Sequence, residues 1–315
     1  MTSLATPRIP RFLSRAAQRI WANRWVYVFL VPTLLLFGTY TVWPMLSSLA
    51  YATLDWNGLG QRQEFVGLAN FEEALSDPLF WKSLRITLVI IAVTVPIRVL
   101  AALGLALLLN NPRLPFARLF RTALFLPVVT TAAIIGIVTS LVFDPGGGPV
   151  NEFLVSTGLV DQPIDFLGSS SNALPTVMLV HTWKWLGITL IYWLAALQTV
   201  PRELYEAAQV DGAGWWRTLR SVTLPQLMPF LVIIVLLTAV ETMQVFDLVQ
   251  TMTGGGPFNS TLVTEVYIYQ LAFASPSPRL GYASAVGVLF GLATLVLVTV
   301  QLLVVRLLRH RGRQP

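Results

Sequence analysis

Six stretches of the chain stay apolar for about twenty residues, the length a helix needs to cross a hydrocarbon core at 1.5 Å per residue. They cover 26–49, 86–109, 122–143, 174–197, 227–249 and 282–305. Polar and apolar positions do not alternate over windows of about ten residues, as the strands of a membrane barrel require, so all six are predicted to be α-helical. The expected fold is an all-α integral membrane protein with six transmembrane helices. The first run, at about twenty-four residues, exceeds the roughly 7–15 of a signal-peptide core and reads as a retained span. That reading holds although Arg19 and Arg24 precede it and Ala50-Tyr51-Ala52 has a small-residue pattern.

The connecting segments carry further punctuation. Asn70-Phe71-Glu72-Glu73 reads as a helix start, with Asn70 as the cap and Glu73 three residues later, so a short helix is expected before the second span. Gly146-Gly147-Gly148-Pro149 and Gly254-Gly255-Gly256-Pro257 read as turns, each followed by an asparagine, Asn151 or Asn259. No Lys-Ser/Thr follows either glycine run and no strand precedes it, which argues against a phosphate cradle.

Composition sharpens this picture. Charged residues make up 11% of the chain and mean hydropathy is +0.68, whereas roughly a quarter of a soluble chain is charged. The polar stretches are too short to fold as a separate soluble domain of about 100 residues. One membrane domain, 26–305, is expected between an N-terminal segment, 1–25, and a basic tail, 306–315.

The net charge of +6 is a topology signal. Arg8, Arg11, Arg15, Arg19 and Arg24 precede the first span; Arg113, Arg118 and Arg121 lie in the second loop. Arg202, Arg217 and Arg220 lie in the fourth loop, and Arg306, Arg309, Arg311 and Arg313 in the tail. Arg62, Lys82 and Arg279 belong to the alternate loops, and the third loop, 144–173, has no Lys or Arg. The positive-inside rule then predicts both termini in the cytoplasm and three loops outside. The basic residues do not form a face with interleaved aromatics, so nucleic acid is not an expected partner. The absence of cysteine excludes disulfides and thiolate chemistry, and His181 and His310 lack metal-ligand spacing.

The fourth loop, 199–225, is more than a connector. Pro201 suits a first helical turn, Glu203 favours the positive end of its dipole, and the helical pattern runs to Val210. Asp211-Gly212-Ala213-Gly214 breaks it, a second short amphipathic piece spans 215–222, and Leu224-Pro225 is expected to redirect the chain into the fifth span. Two short helices about a tight glycine turn would suit a groove on a partner protein.

Glu206-Ala207-Ala208, then Gly212, then Val222-Thr223-Leu224-Pro225 resembles the EAA loop of binding-protein-dependent ABC transporter permeases, with Val222 where Ile is usual. Further segments resemble the carbohydrate, maltose-type branch. They are Phe65-Val66-Gly67-Leu68-Ala69-Asn70-Phe71, Leu126-Pro127, Asp211-Gly212-Ala213, Met252-Thr253-Gly254-Gly255-Gly256-Pro257 and Gly281-Tyr282-Ala283-Ser284-Ala285. The resemblance implies an inner-membrane subunit of a bacterial sugar importer that works beside a second homologous permease, two ATP-binding subunits and an extracytoplasmic sugar-binding protein. It makes Glu206, Ala207, Ala208, Asp211, Gly212, Ala213, Leu224 and Pro225 candidates for coupling to the ATPase. Gly254, Gly255, Gly256, Pro257 and Asn259 become candidates for an outer gate or a contact with the binding protein. The chain has no phosphate-binding loop of its own, so it is not expected to be an enzyme or to hold a cofactor, and ATP and Mg are expected on the partner ATPase.

Ionisable groups within spans are expensive and mark function by default. Glu241, Gln244 and Asp247 fall on one side of the fifth span. They fit either a cavity wall that hydrogen-bonds sugar hydroxyls or a contact with a neighbouring helix. In the fourth span Trp183, Lys184, Trp185 and Gly187, with Thr189 and Tyr192, supply the aromatic faces and polar groups that sugars require, or else a packed aromatic surface. Lys184 and Glu241 stand at one depth, about 20 Å from the same boundary, and are expected to be partners; Arg98, at about 16 Å, is the rival. An ion-coupled secondary transporter is the competing class, and the EAA loop argues against it. An intramembrane enzyme would need a Ser/His, metal-ligand or carboxylate pair that the spans lack. Sugars, polyols and glycerophosphodiesters are all substrates of the branch, and the absence of a basic cluster in the outer loops favours a neutral sugar.

Overall fold

The structure is a computed structural model that describes residues 23–60, 63–111 and 114–311, with side chains of the last helix as far as Leu303. Arg8, Arg11, Arg15, Arg19, Arg62, Arg113 and Arg313, used above for topology, lie outside the described residues. Among the described residues, five continuous helices are long and apolar enough to cross a membrane: α1 (Arg24–Tyr51), α3 (Pro78–Leu109), α7 (Ala173–Gln198), α9 (Trp215–Thr242) and the Leu280–Leu303 part of α12 (Leu280–Arg311). A sixth passage is a bent pair, α4 (Ala117–Val129) and α5 (Ala132–Val142). Short helices α2 (Ala69–Ser76), α6 (Pro149–Ser156), α8 (Arg202–Val210), α10 (Phe246–Met252) and α11 (Thr264–Tyr269) decorate the bundle. A two-residue antiparallel ribbon, β1 (Leu54–Asp55) with β2 (Glu64–Phe65), lies between α1 and α2.

The third span departs from the straight helix expected over 122–143. It bends by 101°, because Thr130 and Thr131 adopt extended conformations, with ψ of 141° and 144°. The fifth span also differs from 227–249. It starts inside the loop, at Trp215, and stops at Thr242. The carboxylate of Glu265 accepts a 2.8 Å hydrogen bond from the Phe246 amide and opens a new helix, α10, there. A carboxylate at a helix N-terminus satisfies a free donor and complements the dipole.

Pro225 was expected to redirect the chain into the fifth span and does not. Pro225 removes a backbone donor, and the π-helical turn Leu219–Thr223 just before it absorbs the mismatch, so the chain runs on into the fifth span. The piece after the glycine turn is thus the first part of α9 and not a separate helix. The π turn Gly38–Val42 precedes Pro44 in α1 in the same way.

The helix predicted near Asn70 exists, but Asn70 does not cap it. Leu68 occupies the cap position, and the buried Asn70 amide donates to Ala52 O at 3.0 Å and Leu54 O at 2.9 Å. It fastens α2 to the end of α1, while Glu73 pairs elsewhere. The second span begins eight residues before Ile86, because Asp77 caps it through the Leu79 amide at 2.8 Å and Pro78 occupies the first turn. The glycine turn at 146–148 leads into α6, which was not anticipated.

The core is centred on α3 against α7. Ala102 and Ala106 are fully buried there and let the backbones approach. Trp193 donates its indole N–H to Val99 O at 3.0 Å. A second cluster joins α3 and α7 to α10, α11 and α12 through residues such as Ile90, Val180, Val249 and Val286. By contrast α1 has no buried residue along its membrane stretch, so its apolar surface faces lipid or another subunit.

Candidate functional site

At the end of the bundle that carries residues 199–225, α8 closes with a left-handed glycine. Gly212 has φ of +70°, a conformation open to glycine at little steric cost. The amides of Asp211 and Ala213 return to Ala207 O at 3.0 Å and Ala208 O at 2.9 Å. Ala208 is buried, whereas Glu206, Ala207, Asp211, Gly212 and Pro225 are exposed; Ala213 and Leu224 are half-buried. Trp215 and Trp216 are 71% and 65% exposed. One short helix and a turn therefore project at the root of α9.

Inside the bundle, four ionisable groups from three spans gather. Arg98 on α3 donates from Nη2 to Glu241 Oε2 on α9 at 2.9 Å and to Thr238 O at 3.3 Å. The expected Lys184–Glu241 pair is not formed. Lys184 Nζ donates to Thr130 O at 2.9 Å and Pro127 O at 3.3 Å, at the joint of the third span. It lies 4.1 Å from the centroid of the Trp185 ring. The rival, Arg98, takes the carboxylate because it approaches Glu241 from α3, while α7 presents Lys184 towards α4. His181 is 1% exposed, and among the described residues neither of its ring nitrogens has a hydrogen-bond partner.

A cavity of about 340 Å³ opens beside this cluster, lined by His181, Trp185, Gln244, Asp247, Glu265 and Ala132 among others. The structure thus brings Trp185, Gln244 and Asp247 together. Trp183 is 47% exposed on the outside of α7 and does not line the cavity. Gly187 packs on α4 instead, where an added Cβ would stand 2.3 Å from Leu124 O. Because the fifth span breaks before Gln244, Glu241 and Asp247 belong to two different helices and not to one stripe. Sequence reasoning missed His181's place here and Glu265 altogether. The available signal for Glu265 was a lone carboxylate in the apolar run after Thr261.

At the opposite end from α8, the Gly254–Asn259 turn is braced from several sides. Gly254 and Gly255 have φ of +59° and +92°, and Phe258 and Asn259 are also left-handed. Gln270 donates to Gly254 O at 3.0 Å, Thr261 to Gly256 O at 2.7 Å, and Lys82 to Phe258 O at 2.9 Å. The Gly256–Pro257 peptide is cis. Phe258 is left 88% exposed.

Near the same end, Asp77 receives hydroxyl hydrogen bonds from Tyr267 and Tyr282, the latter at 2.8 Å. Burial alone would raise its pKa, but these hydroxyls and the Leu79 and Phe80 amides outweigh burial and hold the carboxyl below the usual range. Arg279 forms a bidentate pair with Glu73, at 2.7 and 2.6 Å, which lowers the Glu73 pKa.

The architecture is that of a helical multi-pass membrane protein with a broken span, a polar cavity and a projecting loop. A family model described as "binding-protein-dependent transport system inner membrane component" matches residues 87–314, and the chain belongs to that family. The lactose transport system permease protein LacF of Rhizobium radiobacter is 36% identical over 277 residues, covering 87% of this chain and 91% of that protein. The diacetylchitobiose uptake system permease protein NgcF of Streptomyces coelicolor is 35% identical, over 89% of this chain and 81% of its own. In fold, a bacterial ABC transporter chain involved in import of the acidic polysaccharide alginate superposes with a TM-score of 0.79 at 24% identity, covering 93% of this chain and 98% of that one. The chain is accordingly a multi-pass permease subunit of a sugar ABC importer.

Proposed function

We propose that this chain lines half of the translocation path of an ATP-driven importer of a neutral sugar and couples to a separate ATPase through residues 199–225. The observation that carries the reading is the continuity of α9, whose root is exposed beside the glycine turn while its far end bears Glu241. A helix of 28 residues is about 42 Å long, so a push at Trp215 is carried to the Glu241 end through one continuous element. Glu206, Ala207, Asp211 and Gly212 offer the contact surface, with Ala208, Ala213, Leu224 and Pro225 shaping it.

In this reading ATP and Mg are held by two partner ATP-binding subunits, and a second homologous permease supplies the other half of the path. A sugar-binding protein meets the outer turn, Gly254 to Asn259. The distribution of arginine puts both termini in the cytoplasm of a bacterial cell. Trp185 offers a face for sugar C–H groups, Gln244 can donate to and accept from hydroxyls, and the Asp247 and Glu265 carboxylates can accept from them. The two carboxylates disfavour an anionic substrate. A polyol or glycerol-bearing substrate is the second reading. It rests on a 34% identical relative, the sulfoquinovosyl glycerol transport system permease protein SmoG of Agrobacterium fabrum.

The test is ATPase activity of the reconstituted complex, with and without sugar-loaded binding protein, in Gly212→Pro and Glu206→Lys. Both variants should insert and assemble yet lose stimulation. Normal stimulation in both would remove the coupling role from this loop.

A further inference from the structure

A break inside a span is tolerated where the freed backbone groups find partners. At the 101° joint of the third span the partner is a side chain from another span. Lys184, 1% exposed, donates to Thr130 O at 2.9 Å and Pro127 O at 3.3 Å. Among the described residues no carboxylate lies within ion-pair distance of it; the only ion pairs are Arg98–Glu241 and Arg279–Glu73. Its charge rests on the carbonyl end of α4, where the helix dipole is negative, and against the Trp185 ring at 4.1 Å. Less than one turn on, Gly187 lets α7 touch α4 where a methyl would meet Leu124 O at 2.3 Å. The last two turns of α4 are therefore gripped at two points of α7. Trp185 and Ala132, the first helical residue beyond the joint, line the same cavity.

We infer that Lys184 is a positioning residue for transport: by holding the α4 carbonyls and the Trp185 ring on one ammonium group, it moves the joint of the third span and the cavity wall together. A lysine suits this task because its three donors radiate from one compact charge, so two carbonyls and an aromatic face can share it. The inference rests on the cavity belonging to the translocation path.

The chain has no cysteine, so Ala132→Cys supplies a single reporter in the complete reconstituted complex. Its reaction with a small thiol reagent is followed without nucleotide and after trapping with Mg-ATP and vanadate, with Gly291→Cys on α12 as a reference. In the parent the Ala132→Cys rate should change by about tenfold on trapping. Lys184→Met should abolish that difference while the Gly291→Cys rate stays put, and Lys184→Arg should restore much of it. A merely structural role would lower the yield of complex and leave the trapping ratio intact. If Lys184→Met does not assemble, Lys184→Gln decides in the same assay, because it keeps a donor for the carbonyls and loses the charge facing Trp185. A ratio unchanged from the parent in the assembled variant overturns the role of Lys184. No response to trapping in the parent itself overturns the proposed path, and the inference with it.

Discussion

Arg98 and Glu241 meet at 2.9 Å and tie the second span to the last turn of α9. The Arg98 side chain is fully buried and that of Glu241 is 26% exposed. The same guanidinium also donates to Thr238 O at 3.3 Å, and apolar residues of the two helices, Val95 and Ile234 among them, share one cluster, so the ion pair adds to a packed α3–α9 contact. Lys184, at a similar depth, serves the third span instead, so the two cations of this region have separate duties.

Removing either member of the Arg98–Glu241 pair strands the other. Arg98→Met and Glu241→Gln should each lower the thermal stability of the purified complex, by about 3–5 kcal/mol if the remaining charge stays buried. In a double-mutant cycle the two should couple by about 1–3 kcal/mol, whereas Lys184→Met with Glu241→Gln should come much closer to additivity. Equal coupling in both cycles, measured by thermal unfolding in detergent, would mean that the carboxylate is shared between the two cations.

Gly281 illustrates why a short motif at the start of the last span carries glycine. An added Cβ would stand 1.9 Å from Leu54 O, and the Gly281 amide already donates to Trp56 O at 2.9 Å. Gly281→Ala should therefore push α12 off the ribbon and lower stability by about 1–3 kcal/mol. Gly291→Ala on the same helix meets nothing within 4 Å and should hold or slightly raise the melting temperature, since alanine is the better helix former. Because alanine is the better helix former, propensity alone would raise stability at both positions, so a gain at Gly281 would remove the close-approach argument.

Asp77 gives the fold an acid limit. Its carboxyl is held below the ordinary value because hydroxyl and amide donors outweigh its burial, so its contribution to stability is present above the unfolded-state pKa. That contribution is lost as pH falls through the lower folded value. The melting temperature of the wild type should fall between roughly pH 5 and pH 3, and Asp77→Asn should show a lower plateau with a shallower fall. An identical pH profile in the variant would assign the acid sensitivity to other carboxylates, Glu73 among them.

Much of this molecule was legible along the chain. Hydrocarbon demands about twenty apolar residues per crossing, and that demand is local, so the passages could be read one by one. The turn at Gly212 was equally local, since a left-handed residue after a helix calls for glycine. Other features depend on atoms that sequence position does not relate. The third span bends where Lys184, more than fifty residues later, reaches its carbonyls, and a carbonyl has the same appearance in every residue. The fifth span ends at Thr242 because Glu265 caps the next helix from beyond a loop. Asn70 had the local features of a cap, yet its amide went to the carbonyls of Ala52 and Leu54, brought beside it because α1 and α2 both pack on α12. Depth alone allowed either Lys184 or Arg98 to face Glu241, because depth follows from counting residues whereas partnership depends on how helices rotate about their axes. That rotation is set by packing of the whole bundle, and it gave the carboxylate to Arg98.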